Sequence, residues 1–264
     1  MIAAEEKLGR PVAEKFYRSN GDTYDRVAGL STVGLDSWWK HLILKHMPPH
    51  PRRVLDQACG TGILTLKIAS RYPRCQVTGV DMQEDYVAIA RLKAKAMGLT
   101  NVEFIHGRPE DVILTSNSVD CITSSYLAKY ADLDRLVGQA ARMLRPGRGT
   151  LIVHELTYPS HGILRFLWRL HMKFLQTYSS ARYPEWEETI RELPPVLQET
   201  QWLAILVDAL RNYQFYDIQS KRLTLDATAL VVARKPDDSS DEVTVSIDSE
   251  IKTRGQYRRR HDRP

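Results

Sequence analysis

The nine residues from Val54 to Gly62 (Val-Leu-Asp-Gln-Ala-Cys-Gly-Thr-Gly) constrain the fold of this chain more than any others, because an apolar run ends there abruptly in a glycine turn. After it, Ile63, Leu64, Leu66, Ile68 and Ala69 recur at helical spacing up to Tyr72, so the stretch reads as strand, tight turn and helix. Such a turn leaves unpaired backbone N–H groups at a helix N-terminus. Gly60 and Gly62, lacking Cβ, let a ligand come close to that backbone. Nineteen residues past Gly62 a second short strand, Gln76 to Val80, ends in Asp81, at the position where doubly wound α/β sheets bind a ribose diol. Glycine turn and acid together predict a nucleoside-cofactor site.

Two cofactor classes compete for such a turn. A dinucleotide turn needs a third glycine three residues after the second, to pack the helix beneath a pyrophosphate, and Thr65 stands there instead, which disfavours NAD. Asp56 opening the turn, small Ala58, and then Cys-Gly-Thr-Gly resemble the first motif of the class I S-adenosylmethionine (SAM)-dependent methyltransferases. That resemblance spans about residues 53 to 235. It implies a Rossmann-like seven-stranded sheet whose turn backbone holds the methionine moiety while Asp81 holds the adenosine ribose. The cofactor-binding set it implies is Tyr24, Asp56, Ala58, Gly60, Thr61, Gly62, Asp81, Met82, Arg108, Pro109 and Ser124. Arg108 stands where the family often has an Asp that meets adenine. An arginine cannot accept from the adenine amine, so that contact falls to backbone groups or to Glu110.

A narrower resemblance, to the UbiE type of quinone-biosynthesis methyltransferase, rests on Tyr24-Asp25, on Ser31 with Gly34, and on Trp39-Lys40. Ala28 replaces an asparagine usual in that family. After the fourth strand (Val119 to Thr123), the family's Arg-Asn pair aligns with Ala128 and Lys129, so the basic residue is displaced by one position. The resemblance implies C-methylation of a quinone or quinol precursor. Proton removal would fall to His154, Tyr126 or Lys129, an order the sequence leaves open. The alternative within enzymology is an O- or N-methyltransferase of small secondary metabolites. A cofactor-binding protein without catalysis is a further possibility, and radiolabel transfer would exclude it.

Charge narrows the remaining classes. The net charge is +5, and the tail from Pro236 holds six basic and seven acidic residues, so the body is the basic part. This tolerates anionic partners without selecting one. An RNA substrate is disfavoured, because the aromatic-rich segment before the last strands has no interleaved basic platform and no Asn-Pro-Pro-Tyr-type motif follows strand four. Three cysteines without CxxC spacing argue for reduced structural thiols and against a metal site. Charged Met1–Arg10 does not read as a signal peptide, and no apolar run reaches the ~18 residues of a membrane span, so a cytoplasmic protein is expected.

The expected organisation is one domain over residues 1–235, with a helical insertion at about 159–202 and a disordered tail from 236 to 264. Residues 1 to 23 read as a helix and loop, and Trp38 and Trp39 as apolar anchors of the next helix. Within the insertion, the spacing predicts a helix from Gly162 to Gln176. Ile163, Phe166, Leu167, Leu170 and Phe174 share one face of it, and Arg165, Arg169 and Lys173 lie on another. That basic stripe is either a solvated face or part of a lid on a membrane surface, with Trp168 near the polar boundary, for a lipid-tailed aromatic acceptor. Tyr178, Tyr183, Trp186 and Trp202 read as lining for a flat ring.

Overall fold

The computed structural model describes residues 20–237, so the helix expected before residue 20 and the tail from 238 lie outside the described residues. Seven strands form one sheet in the order β3-β2-β1-β4-β5-β7-β6. They are β1 (Arg53–Gln57), β2 (Gln76–Asp81), β3 (Val102–His106), β4 (Cys121–Ser125), β5 (Thr150–Leu156), β6 (Tyr216–Leu223) and β7 (Thr228–Arg234). The first five run parallel, and β7 returns antiparallel between β5 and β6. This is the doubly wound α/β arrangement expected from the sequence. The order reverses between β1 and β4, so the carboxyl ends of those strands border a crevice.

Both sheet faces are covered. Leu55, Ile122, Leu151, Val153 and Val231 pack beneath α5 (Leu133–Met143) and α8 (Trp202–Asn212). Val54, Val77, Cys121 and Ile152 pack beneath α2 (Asp36–His46) and α3 (Ile63–Arg71). Parallel strands buried on both faces require this near-continuous apolar character. Helix α4 (Glu84–Ala96) follows β2, and Asp132 caps α5 by accepting from Arg135 N at 3.1 Å. The three cysteines are buried free thiols.

Several boundaries differ from the sequence expectation. A helix, α1, spans Gly21–Ser31, where a loop through Asp22 was expected. Strand β4 runs on to Ser125, and β5 runs on to Leu156, which leaves His154 inside a strand rather than at its end. Of the tryptophan pair, Trp39 is buried and donates to Thr224 Oγ1 at 2.9 Å, while Trp38 is exposed. In the insertion, α6 spans Gly162–Arg182, running on past the predicted end at Gln176, and α7 (Glu187–Glu199) runs through Pro194 and Pro195. Ile190, Leu193 and Leu197 recur there at i, i+3 and i+7, but the proline pair argues locally against a helix.

Helices α1, α6 and α7 share a small core of their own, built from Val27, Met172, Leu175, Trp186 and Ile190. Of the insertion aromatics, Trp186 and Trp202 are buried in packing contacts. Trp186 packs on Tyr24 with centroids 5.8 Å apart and donates to Thr23 Oγ1 at 2.8 Å, while Trp202 sits in the main core and donates to Leu156 O. Trp168, half-buried, packs edge-on against Tyr158.

Candidate active site

The turn after β1 owes its shape to three left-handed residues, Ala58 (φ 54°), Gly60 (φ 54°) and Gly62 (φ 84°). It is braced from both sides. Cys59 N donates to Val80 O at 2.9 Å, and Gly60 N donates to Asp81 Oδ2 at 2.8 Å, while Asp81 Oδ1 accepts from Gln83 N. Asp81 thus ties the turn to the exit of β2. Asp56 lies deeper, accepting from Thr65 Oγ1 at 2.6 Å and Thr123 Oγ1 at 2.7 Å. Burial pushes each of these two carboxyls up to about 6.

The two glycines do different work. A Cβ on Gly62 would stand 3.0 Å from Ala90 Cβ and 3.3 Å from Phe104 Cζ, so this position is bare because α4 and β3 press on it. Packing alone therefore excludes a side chain at this position, besides any approach of a ligand. At Gly60 the nearest atoms are those of Tyr24, the closest at 3.7 Å, and the left-handed backbone is the constraint.

Tyr24 comes over the turn because α1 is strapped to it. Asp25 accepts from Thr61 Oγ1 at 2.5 Å and pairs with Lys93 at 2.6 Å. Thr61 therefore spends its hydroxyl on α1. Tyr24 lies 5.0 Å from the ring of Tyr86, whose hydroxyl donates to Asn20.

Below Tyr24 opens a cleft enclosing roughly 530 Å³ of space, much of it open to solvent. Tyr24, Ala58, Gly60, Asp81, Met82, Gln83, Tyr86 and Pro109 line one part of it, and Ser125, Tyr126, Leu127 and Tyr130 line the other. Of the cofactor set read from the sequence, Tyr24, Ala58, Gly60, Asp81, Met82 and Pro109 meet at this cleft. Asp56, Thr61, Gly62, Arg108 and Ser124 are not in its lining, and neither is Glu110; Ser124 is fully buried and its neighbour Ser125 takes the surface. The lining suits a nucleoside carrying a cationic arm. It offers one carboxylate, a left-handed backbone turn and aromatic faces that attract a cation.

At the other end, Tyr126 (φ 62°) closes β4. Its N–H donates to His154 O, and its hydroxyl donates to Asp36 Oδ1 at 2.8 Å. Asp36 in turn is ion-paired with Lys40. Burial and this carboxylate hold the Tyr126 phenol well above its ordinary pKa, so it is a proton donor at neutral pH.

His154 and Lys129 do not face the cleft. His154 sits between Trp39 (5.2 Å) and Tyr126 (5.4 Å), its Nε2 has no partner, and burial with nearby Lys40 and Lys129 lowers its pKa to about 3. An imidazole so reluctant to take a proton is a poor base. Lys129 is fully buried in an ion pair with Glu155 at 2.9 Å and donates to Tyr126 O. Of the three candidate bases, only Tyr126 touches the cleft.

Sequence reasoning missed Asp36, Tyr86, Gln83 and Tyr130. Tyr86 reads as one more apolar-face residue of α4, and Asp36 lies ninety residues from its partner Tyr126. Only Asp36 with Lys40, at i and i+4, leaves a local trace. Among the described residues, no group of three or more His, Cys, Asp or Glu is placed to hold a metal ion.

A family profile for a methyltransferase domain matches residues 54–147, which hold the turn, Asp81 and Tyr126. The chain is 32% identical to the demethylmenaquinone methyltransferase of Thermus thermophilus over 152 residues, 57% of this chain and 68% of that protein. It is 30% identical over 210 residues to the ubiquinone/menaquinone biosynthesis C-methyltransferase UbiE of Shewanella piezotolerans, covering 75% and 82% of the two chains. Among solved structures, an S-adenosylmethionine-dependent methyltransferase crystal structure from Methanococcus maripaludis superposes with a TM-score of 0.60. Identity there is 14%, over 84% of this chain and 95% of that one, which speaks for the fold alone.

Proposed function

Since this chain belongs to the family of SAM-dependent methyltransferases that includes demethylmenaquinone methyltransferase and UbiE, we propose that it methylates a ring carbon of a quinol carrying a lipid tail. The observation that carries the reading is one cleft joining the glycine turn and Asp81 at one end to the Tyr126–Asp36 pair at the other. When bound, SAM supplies a sulfonium methyl open to in-line displacement, so catalysis is largely alignment and exclusion of water.

The residues divide that work. Asp81 receives the ribose diol while holding the turn through Gly60 N–H. Tyr24, strapped down by Asp25, covers the turn from above. A ring carbon becomes nucleophilic when the neighbouring phenol gives up its proton. Tyr126 is the group positioned to take part: its oxygen receives the acceptor's proton as its own hydroxyl proton passes to Asp36 Oδ1, 2.8 Å away. Lys40 stabilises the Asp36 carboxylate before that transfer.

The lipid tail and a peripheral contact with a membrane complete the reading. No helix among the described residues is long and apolar enough to cross a membrane, so access to a lipid-tailed acceptor would be from the surface. One observation favours the second reading, O- or N-methylation of another small molecule. The basic residue aligned near the quinone family's arginine, Lys129, is tied to Glu155 and does not reach the cleft. Incubation with labelled SAM and reduced demethylated quinols, followed by mass spectrometry of the product, separates the two. A new methyl on the ring carbon supports the proposal, and label on oxygen or on no quinol sinks it.

A further inference from the structure

Helix α6 is amphipathic the wrong way round for a helix on a globular surface. Ile163 (73% exposed), Phe166 (65%), Leu167, Leu170, Phe174 (63%) and Tyr178 fall on one stripe at i, i+3, i+4, i+7, i+11 and i+15, and all face outward. The opposite side is anchored by Met172, Leu175 and Ser179. Isolated exposed apolar side chains are ordinary, but a contiguous stripe of this length marks an interaction surface.

Neighbouring segments extend it. His171 Nε2 lies 3.0 Å from Ser31 O, which brings the α1–α2 turn with exposed Val33 against the middle of the helix. Ser160 N donates to Asp226 Oδ2, which brings the β6–β7 turn with exposed Leu225 to its N-terminal end. Val33 is three residues from Asp36, so this surface adjoins the Tyr126 end of the cleft.

The charges indicate the partner. Helix α6 carries Arg165, Arg169, Lys173 and Arg182 and no acidic residue. Arg165 and Arg169 turn back to the body, their guanidinium groups 5.3 and 6.0 Å from the ring of Tyr158. Lys173 and Arg182 are exposed beside the apolar stripe, Arg182 with its guanidinium 5.5 Å from the ring of Tyr183, and long cationic side chains so placed can reach anionic headgroups. Two copies of this face set against each other would bring like charges together.

We infer that α6, with Val33 and Leu225 beside it, is a docking face that seats the protein on the surface of an anionic lipid bilayer and turns the Tyr126 end of the cleft towards it. The consequence for turnover rests on the lipid-tailed acceptor proposed above, whereas binding to lipid does not.

The test is flotation of the full chain with phosphatidylcholine–phosphatidylglycerol vesicles, against Phe166→Glu/Leu170→Glu/Phe174→Glu and Lys173→Gln/Arg182→Gln. All five positions are exposed, so melting temperature and SAM affinity should be unchanged. The wild type should float. The apolar triple variant should lose at least about tenfold in bound fraction, and the charge variant about tenfold, on phosphatidylglycerol-containing vesicles only. Turnover of a vesicle-embedded long-tailed quinol should fall with binding, while turnover of a soluble short-tailed quinol stays constant. A wild type that does not float, or a triple variant that floats equally well, overturns the inference. So does a wild-type dimer that the triple variant dissociates in the absence of any lipid binding. Variant-sensitive flotation with no quinol methylated at all would leave the docking face standing and sink the acceptor assignment instead.

Discussion

The two ends of the cleft are built differently. At the glycine-turn end the contacts that shape the turn itself are short in sequence, Gly60 to Asp81 spanning 21 residues and Asp56 to Thr65 nine, and longer ones, Asp25 to Thr61 across 36 and Asp56 to Thr123 across 67, brace it from outside. At the Tyr126 end they are long: Asp36 to Tyr126 spans 90, Trp39 to Thr224 spans 185, and Ser31 to His171 spans 140. One strand-turn-helix-strand unit shapes the turn and its acid, with α1 and β4 bracing them, whereas elements from most of the chain must pack before the Tyr126 end exists. Substitutions at the turn should therefore act on folding and cofactor binding together. Substitutions at Tyr126 should act on turnover alone.

The largest effect is expected at Gly62. Gly62→Val forces a branched side chain onto Ala90 and Phe104 in a left-handed backbone, and should cost about 3 kcal/mol or more of stability in chemical denaturation, abolishing SAM binding as a consequence. A stable variant that has lost only SAM affinity would return Gly62 to a ligand-contact role and blur the comparison.

Next comes Asp81. Asp81→Ala should weaken SAM binding by about 1–3 kcal/mol in calorimetry, the scale of a lost charge-assisted hydrogen bond. The same carboxyl gives a signed pH dependence. Its pKa, like that of Asp56, is raised to about 6 from an ordinary 3.8, so the folded state holds these protons more tightly than the unfolded chain. Their contribution to stability is thus greatest below pH 3.8 and is lost as pH rises through 6. SAM affinity should run the opposite way, falling as pH drops from 7.5 to 5 and Asp81 gains its proton. If affinity is flat over that range, the ionised carboxylate is not what holds the ribose.

At the other end, Tyr126→Phe should lower kcat about tenfold to a hundredfold and leave SAM affinity within about twofold, because it removes the proton path to Asp36 without touching the turn. An equal loss of SAM affinity would mean that the ends are not separable. The smallest effect is expected for His154→Gln. Buried and held neutral, His154 acts as a packing group between Trp39 and Tyr126, and kcat should change less than about threefold in the folded variant. A loss as large as that of Tyr126→Phe would restore His154 as a catalytic residue.

Legibility follows the same division. The first five strands, their helices and the closing hairpin could be read because apolar periodicity and glycine turns are local signals. That the glycine turn and Asp81 belong to one site could be read because a parallel strand pair with a single crossover helix leaves their separation little freedom, whereas the hydrogen bond between Gly60 and Asp81 could not. What could not be read was direction. The apolar and basic stripes of α6 were both visible in the sequence, but not that the apolar one faces outward, since periodicity specifies which residues share a face and never what that face meets.

The sequence by itself determined the doubly wound sheet, the glycine turn and the acid that closes it, because each is announced by signals within a few tens of residues. Only the tertiary structure decided that Gly62 is bare for packing, that His154 and Lys129 stand behind the cleft wall, and that Asp36 stands behind Tyr126. It also decided that α1 is strapped to the turn through Asp25. Those outcomes depend on which side chains the packed core sequesters from water. Desolvation silences His154, commits Lys129 to Glu155 and leaves Tyr126 as the proton-bearing group at the surface of the cleft.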